Sequence, residues 1–336
     1  MRIAFLANPE SPNGWYRAIG PMLALARRGH EIRQAELLRE QLRPELIRGC
    51  DVVHIHRRHD EDVLKIVRYA KEAGIAVVWD NDDDETAVPK GHPAYRDYGG
   101  AAGQRVKAAV RKLVQLADLV TTPSPLLAER FAELGGAHVQ LIENYVRDEL
   151  TDARARSNGD QVVIGWLAGT EHFMDIERVP IRAALARLLD AHANVRVVSI
   201  GAGLGLGVER YEHVTGIPFF ELPQRMTEFD VGLAVIADIP FNRARSNVKL
   251  KEYAALGIPW LASPIGPYAG MGEQQGGRLV PDDGWYEALE RLVLKARERR
   301  KLAKRAAKWG RMQTIGANAG VWEQALHGAV ARSLGG

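Results

Sequence analysis

Residues 241 to 263 combine a basic turn, a short helix and a buried strand in a pattern suited to binding phosphate. Ser246 is predicted to cap a helix that ends before Gly257. The first turn of such a helix presents unpaired backbone N–H groups and the positive end of the helix dipole, to which anions bind. Arg243 and Lys249 add cationic donors at the same turn. The segment therefore predicts an anion-binding site.

Glu252 lies one helical turn beyond Lys249 and on the same face of the predicted helix. Its carboxylate can accept hydrogen bonds from the two hydroxyl groups of a ribose. We therefore expect a nucleoside diphosphate to bind here. The backbone of Ser246 and Asn247, with Lys249 and Arg243, would hold the phosphates, and Glu252 would hold the ribose.

A second candidate loop, GTEHFMD, follows the predicted strand VVIGWLA. Gly169 permits a close approach of the backbone to a ligand, as Gly165 does within the strand. Thr170 and His172 lie where open α/β sheets bind ligands, at the carboxyl end of a strand. We assign this loop to the phosphate side of the donor and His172 to the candidate catalytic groups. The alternative is an ordinary helix start with Asp175 as its cap.

An acidic cluster, DNDDDE, follows the predicted strand AVVW. One interpretation is a metal site, since hard divalent cations take clustered carboxylates. A second makes one carboxylate a general base or a clamp for an acceptor hydroxyl, with a pKa raised by its acidic neighbours. The third is a solvated loop. We assign Asp82 and Asp83 as candidate catalytic carboxylates and expect no metal, because the cations near Lys249 already neutralise charge.

Two further strand ends carry residues that could contact a substrate. Gly14, in the loop NPESPNG after the first predicted strand, could admit a phosphate or sugar close to the backbone. Arg57 extends the end of the strand DVVHIH, where it could meet a phosphate on the acceptor. His54 and His56 alternate along that strand and are interpreted as buried histidines rather than metal ligands.

The elements that must position these residues alternate between strand and helix. Continuous Val, Ile and Leu runs indicate strands buried on both faces of a parallel sheet. They predict an α/β protein of two doubly wound, Rossmann-like domains facing a central cleft. We expect an acceptor domain over residues 1–148, a donor domain over 160–316, and a C-terminal helix over 317–336.

Composition agrees with this organisation. A chain of 336 residues, 46% hydrophobic, is long enough for two cores. Its net charge of +3 is too small to indicate nucleic acid as a partner. The N-terminal MRIAFLANP is interpreted as a strand rather than a signal peptide, and no run reaches the ~20 apolar residues of a membrane span. We expect a cytoplasmic protein.

The segment KLKEYAALGIPWLAS resembles glycosyltransferases of the GT-B fold, in particular the retaining, family-four-like enzymes of bacterial O-antigen and cell-surface sugar synthesis. In those relatives the glutamate of this helix binds the ribose of a nucleotide-sugar, and Glu252 matches it. A second glutamate eight positions earlier contacts the donor sugar in the wider family, and here that position is Ala244. The resemblance implies transfer of a sugar from a nucleotide-diphosphate donor to an acceptor hydroxyl, with retention.

The same relatives carry a Gly-Thr-x-His loop with an aspartate soon after, which Thr170, His172 and Asp175 match. Their opening loop holds a Tyr-Arg pair, which implies that Tyr16 and Arg17 line the acceptor side. Such enzymes ordinarily work without a metal or other cofactor, the nucleotide-sugar being the co-substrate. The resemblance also implies that the C-terminal helix over 317–336 crosses back to the first domain.

The acceptor and two other functions stay open at this point. A glycan, a lipid-linked sugar or a small molecule could be the acceptor, and the basic run at residues 291–311 could rest on the inner membrane surface. A sugar-nucleotide 2-epimerase of the same fold would use the same diphosphate site. A non-catalytic nucleotide-sugar-binding subunit is the third possibility, because Ala244 replaces the expected glutamate.

Overall fold

The computed structural model describes residues 1–35, 43–153, 155 and 158–335. Two compact units make up the chain. The first comprises Met1–Arg147, Ala244–Ser246 and Ile315–Gly336, and the second comprises Asp148–Arg243 and Asn247–Thr314.

A six-stranded parallel sheet lies at the centre of the first unit, with strand order β2-β1-β3-β4-β5-β6. Its strands are β1 (Arg2–Leu6), β2 (Glu31–Gln34), β3 (Val52–His56), β4 (Ala76–Asp80), β5 (Leu119–Thr122) and β6 (Val139–Leu141). The helices between them are α1 (Pro12–Gly14), α2 (Gly20–Arg27), α3 (Glu61–Glu72), α4 (Tyr95–Tyr98), α5 (Gly100–Leu116) and α6 (Pro125–Glu133). A π-helical turn, Trp15–Ile19, joins α1 to α2.

A second six-stranded parallel sheet, with strand order β12-β11-β10-β7-β8-β9, forms the other unit. Its strands are β7 (Val162–Ala168), β8 (Val195–Gly201), β9 (Tyr211–Val214), β10 (Val231–Ala234), β11 (Trp260–Ala262) and β12 (Gly277–Leu279). Its helices are α7 (Phe173–Arg178), α8 (Ile181–Ala191), α9 (Leu222–Met226), α10 (Pro240–Arg243), α11 (Val248–Ala255), α12 (Trp285–Leu294) and α13 (Ala296–Gly310). The last helix, α14 (Ile315–Gly335), belongs to the first unit.

Each sheet is buried on both faces, as the continuous apolar runs predicted. In β1, Ala4 and Leu6 face a cluster formed with α3, α5 and α6, whereas Ile3 and Phe5 face α2 and α14. Because successive side chains of a strand point to opposite faces, such a strand must be apolar at every position. The prediction of two doubly wound α/β units is therefore confirmed.

Three strands were not predicted, and all three lie at sheet edges. They are β2, β9 and β12, with sequences EIRQ, YEHV and GRL. A strand at the edge of a sheet is less buried than a central strand, so polar residues there cost little free energy. Such a strand therefore does not need the continuous apolar sequence by which central strands are predicted.

The basic run at residues 291–311 is divided between two helices rather than forming one. α12 ends at Leu294, and α13 begins at Ala296. Trp309 is partly buried and packs against the apolar cluster around Trp260. No helix in the described part of the chain is long and apolar enough to span a bilayer. Peripheral membrane contact through these helices stays a prediction.

Candidate functional site

Helix α11, the predicted donor helix, begins one residue later than expected. Asn247 is its N-cap and Val248 its first residue, and the Asn247 side chain makes no capping hydrogen bond. The predicted Ser246 cap is therefore wrong. The Ser246 hydroxyl instead accepts a hydrogen bond of 2.9 Å from Asn144 Nδ2, within the first unit.

Two side chains one turn apart fix α11 to the central strand β7. Lys249 Nζ donates to the backbone oxygen of Leu167, near the end of β7. The Tyr253 hydroxyl accepts from Leu167 N at 3.1 Å and donates to Leu233 O at 2.9 Å. These bonds place the ammonium group of Lys249 at the carboxyl edge of the sheet, where open α/β sheets bind ligands.

Glu252 lies on the same helix, buried to 9% exposure. A carboxylate held with so little water makes stronger hydrogen bonds than an exposed one. Lys249 and Glu252 are three residues apart, so both side chains lie on neighbouring positions of one helix face. The structure thus brings the predicted phosphate and ribose residues together.

Arg243, which was expected to hold the phosphates together with Lys249, is instead paired with Asp238. It closes helix α10 and forms a two-pronged ion pair with Asp238, with Nε 2.5 Å from Oδ1 and Nη2 2.8 Å from Oδ2. Both side chains are more than half exposed. A phosphate could recruit Arg243 only in competition with Asp238.

The loop after β7 is held by a buried histidine and aspartate. His172 Nδ1 lies 2.6 Å from Asp175 Oδ2, and His172 is 2% exposed. The other oxygen of Asp175 accepts from Ala237 N and Asn242 Nδ2, each at 2.7 Å. Asp175 therefore orients the imidazole and ties this loop to the one after β10. The alternative of an exposed His172 with Asp175 as a helix cap is wrong.

Gly169 in this loop and Gly165 in strand β7 have different surroundings. Gly169 is exposed, and a Cβ there would lie 2.1 Å from the carboxylate of Glu171. The side chain of Thr170 lies outside the described residues. Gly165, by contrast, is required by packing, because a Cβ would lie 2.1 Å from the Phe229 ring. Its predicted part in ligand approach is not supported.

Arg57 adopts a left-handed backbone at the end of β3, with φ +55°. Non-glycine residues rarely adopt it, and the strain of about 1–3 kcal/mol is typical of functional sites. The conformation directs the guanidinium into the acidic loop, where Nη1 lies 2.9 Å from Asp83 and Nε 3.1 Å from Glu85. Arg57 and Asp83 thus lie together, and their predicted parts in acceptor binding and catalysis stay predictions.

Asp82 differs from its predicted behaviour. Burial, the largest effect, acts to raise the pKa of Asp82, but a hydrogen bond from His56 and the charge of Arg57 outweigh it and hold that pKa well below its usual range. The expected raised pKa is wrong for this residue. A carboxylate that stays ionised at low pH is a weak base, so Asp82 is better suited to orienting His56 and Arg57.

Arg17 and Tyr16 are interior residues rather than exposed acceptor contacts. Arg17 is 0% exposed, and its Nε and Nη2 donate to the Asp80 carboxylate, the former at 3.1 Å. Nη1 donates to Ile142 O and to Asn144 Oδ1. Because the N–H groups of the guanidinium are occupied by these partners inside the first unit, Arg17 cannot serve as the predicted acceptor contact. Tyr16 is likewise buried, at 5% exposure.

Gly14 is needed for packing in its own unit. A Cβ there would lie 2.2 Å from the backbone oxygen of Asn8, so any other residue would push the first loop away from α1. The close approach expected at Gly14 is one between two segments of the protein. A ligand contact by its backbone stays a prediction.

A cavity of about 650 Å³ opens beside the acidic loop in the first unit. Its floor is apolar, with Val110, Leu127 and Phe131, and its polar lining includes Asn81 and Asp83. Asn81 is 2% exposed, and its Oδ1 has no hydrogen-bond partner among the described residues. A buried amide oxygen without a partner is costly, so this oxygen requires a hydrogen-bond donor beyond the described residues.

Cations line one side of the same cavity. Lys107 and Arg111 lie four residues apart on α5 and are exposed. In the described chain neither has a carboxylate within ion-pair distance, whereas Arg130 on the opposite wall pairs with Asp84. Sequence reasoning missed these residues, because two cations on one helix face are typical of a solvated surface.

The burial of His54 predicts that the free energy of unfolding decreases at acidic pH. It lies fully buried against Trp322, and neither ring nitrogen has a partner among the residues described. Burial lowers the pKa of His54 to about 4, with a smaller opposing effect from Asp80. As pH falls from about 6.5 to about 4, the unfolded chain takes up a proton that the folded chain does not. Stability is therefore lost by about 1.4 kcal/mol per pH unit in that window.

Urea unfolding at about pH 7.5 and about pH 5 tests this expectation. The variant His54→Leu should lose less stability between the two pH values than the wild type, by about 2 kcal/mol. His138→Leu, at an exposed position of the same unit, is the control. An equal pH dependence in wild type and His54→Leu would contradict the assignment.

Comparison with known proteins gives the fold a precedent. No protein-family model matches the chain, and no curated protein matches its sequence. Among solved structures, HepE from Anabaena in complex with UDP-glucose matches 96% of this chain and 99% of its own, at 16% identity and a TM-score of 0.67. Sucrose-phosphate synthase from Thermosynechococcus elongatus matches 98% of this chain and 100% of its own, at 15% identity and a TM-score of 0.65.

A third match comes from a different class of enzyme. UDP-GlcNAc 2-epimerase from Neisseria meningitidis, bound to UDP-GlcNAc, matches 97% of this chain and 100% of its own, at 12% identity and a TM-score of 0.57. At these identities the likeness is one of architecture. The chain therefore has the GT-B fold, which glycosyltransferases and sugar-nucleotide epimerases share.

Proposed function

We propose that the protein is a glycosyltransferase that moves a sugar from a uridine diphosphate sugar to an acceptor hydroxyl. The observation that carries the proposal is the pair Lys249 and Glu252 on α11, with Lys249 bonded to the carboxyl end of β7. Solved proteins of this fold bind UDP-glucose and UDP-GlcNAc. A cation beside a helix start suits the diphosphate, and the buried carboxylate suits the ribose.

The donor site would draw on two loops of the second unit. Lys249 and the backbone at Asn247 would meet the diphosphate, and the exposed backbone at Gly169 would approach it from the loop after β7. His172, oriented by Asp175, would bind the donor on the same side and stabilise charge as the bond to the sugar breaks. Thr170 stays a predicted contact.

Catalysis would be mainly electrostatic, because the leaving group is a diphosphate whose growing negative charge Lys249 can stabilise. We propose that no metal takes part. The carboxylates of the acidic loop already face protein cations, with Asp83 on Arg57 and Asp84 on Arg130. This pairing makes them poor ligands for a divalent ion.

The stereochemical course follows from which group takes the acceptor proton. With retention, the departing phosphate oxygen takes it, as the resemblance implies. With inversion, a carboxylate of the first unit must act as base, and the low pKa of Asp82 leaves Asp83 as the better candidate. Ala244 is fully buried in an apolar cluster of the first unit, so that position cannot supply a sugar contact.

The acceptor would bind at the cavity beside the acidic loop. Asn81 and Asp83 can accept hydrogen bonds from sugar hydroxyls, and the apolar floor suits a sugar face. Lys107 and Arg111 suit an anionic group on the same molecule. We therefore propose a sugar acceptor that carries a phosphate or carboxylate.

The double variant Lys107→Ala/Arg111→Ala tests the acceptor site. We expect the KM for the acceptor to rise about tenfold or more, since two charged hydrogen-bonding groups are lost. Nucleotide affinity should not change, because the donor residues lie in the other unit. Lys65→Ala/Arg68→Ala, two basic residues on α3, is the matched control. An unchanged acceptor KM in the double variant would exclude this cavity.

A transfer assay tests the proposed function as a whole. The purified chain is incubated with each of several UDP-sugars, with and without a panel of phosphorylated and neutral glycans, and the products are identified by mass spectrometry. We expect one UDP-sugar to yield a glycan one sugar longer together with UDP. Nucleotide binding with no product, across the panel, would instead support a non-catalytic binding subunit.

A sugar-nucleotide 2-epimerase is the second candidate, favoured by the match to the enzyme from Neisseria meningitidis. Such an enzyme changes the donor without an acceptor. Proton NMR of a UDP-sugar incubated with the protein alone would show a second sugar epimer. Its appearance would replace the glycosyltransferase proposal, whereas an unchanged donor would exclude the epimerase.

A further inference from the structure

His30, Glu323 and His327 form a cluster of potential metal ligands away from the proposed donor and acceptor residues. One ligand atom from each lies within 4.8 Å of the others. Glu323 and His327 are four residues apart on α14, so they lie on one face a turn apart. His30 comes from the turn between α2 and β2. Two distant parts of the chain thus supply the three ligands.

The ligand atoms are already oriented. His30 Nε2 lies 2.7 Å from Glu323 Oε1, and His30 Nδ1 faces the amino group of Met1 at 3.3 Å. The other oxygen of Glu323 accepts from Arg28, with Nη2 at 2.6 Å and Nε at 3.0 Å. Ligating carboxylates in metal sites are commonly held in this way by an outer partner, which leaves one oxygen for the ion.

The surroundings allow an ion to enter while holding the ligands in place. The His30 and Glu323 side chains are 8% and 22% exposed, and His327 is exposed. On the neighbouring face of the helix, α14 is anchored by the buried side chains of Trp322 and Leu326. The ligands therefore stand on a rigid helix with one side open to water.

We propose that His30, Glu323 and His327 bind a zinc ion, with water as the fourth ligand. Two imidazole nitrogens and one carboxylate oxygen suit this metal, and three protein ligands leave a position open. Binding would release to water the proton between His30 Nε2 and Glu323 Oε1, and the imidazole ring would keep its other proton on Nδ1. No other group of three such residues within this distance occurs in the described part of the chain.

The place of the cluster points to a structural role. His30 precedes β2, at the amino edge of the sheet, whereas Arg57 and Asp83 lie beyond the carboxyl ends of β3 and β4. A zinc ion here would link helix α14 to the turn between α2 and β2. It would stabilise the first unit without touching the transferred sugar.

The test uses the full chain, which carries no oligohistidine tag and has been treated with a chelator. Zn²⁺ alone is the probe. Calorimetric titration should show one zinc ion bound per chain, with an affinity that falls as pH drops through the range in which histidine protonates. Zinc at about 100 times its Kd should raise the Tm by about 5 °C. Co²⁺ in place of zinc should give the absorption bands of a tetrahedral site.

The variant His327→Ala should lose about 100-fold or more in zinc affinity, together with the Tm rise and the cobalt bands. Its position is exposed, so folding should be unaffected, and circular dichroism checks this. Glu323→Gln should also weaken binding, by about tenfold or more. His138→Ala, an exposed histidine of the same unit, is the matched control. Equal zinc affinity in His327→Ala and wild type, or no binding by the wild type at about 100 μM zinc, would overturn the proposal.

Discussion

Replacing Arg17 by methionine is expected to lower the free energy of unfolding of the first unit by about 3–5 kcal/mol. Arg17 and Asp80 are both 0% exposed, and Asp80 also accepts a hydrogen bond of 2.5 Å from the Thr121 hydroxyl. Removing the guanidinium leaves a buried carboxylate without its counter-charge. It also leaves the Ile142 carbonyl and the Asn144 side chain without their donor.

Chemical denaturation of wild type and variants measures this loss. The control is Arg96→Met, since Arg96 pairs with Asp97 at 3.4 Å on the surface, where such a pair contributes about 0–1 kcal/mol. The double variant Arg17→Met/Asp80→Leu should recover part of the loss, because neither charge of the pair is left buried. A loss as small as that of Arg96→Met would show that the Arg17–Asp80 pair is not the anchor of this unit.

The second large effect is expected at the donor helix. Glu252→Ala should weaken UDP binding by about 1–3 kcal/mol, the scale of a lost charged hydrogen-bonding partner. Lys249→Met should weaken it by a similar amount, because the diphosphate loses its nearest cation. If the two residues bind different parts of one nucleotide, their effects should be close to additive and reach about 100-fold or more.

Calorimetry with UDP measures these affinities. Glu177→Ala on α7 and Lys304→Met on α13 are exposed controls in the same unit. The Tm of each variant without nucleotide separates a folding defect from a binding defect. Wild-type affinity in Glu252→Ala would refute the ribose assignment, and wild-type affinity in Lys249→Met would refute the phosphate assignment.

These predictions separate the two units by their chemistry. In the proposed function, Lys249 and the start of α11 would bind the diphosphate in the second unit, and Glu252 would bind the ribose. The first unit holds its carboxylates against Arg17, Arg57 and Arg130. Nucleotide affinity should therefore respond to variants in the second unit, whereas acceptor KM should respond to variants in the first.

The sequence by itself determined the architecture and the helix at Val248–Ala255. Continuous apolar runs such as AVVWD at β4 require strands buried on both faces, and that strand is Ala76–Asp80, as predicted. Lys249 and Glu252 were found from helical spacing, because neighbours on one helix face are a local property of the chain. Edge strands such as EIRQ could not be found in this way, since they lack that burial on both faces.

Only the tertiary structure decided what each polar side chain contacts. The resemblance placed Arg17 at the acceptor. Its guanidinium instead pairs with Asp80 of β4, which lies 63 residues away in the chain. Ser246, expected to cap α11, bonds Asn144, 102 residues away. Asp82, expected to have a raised pKa, has a lowered one because His56 and Arg57 meet it. Charge compensation and hydrogen bonding depend on distances between residues far apart in the chain, and composition and local spacing do not contain those distances.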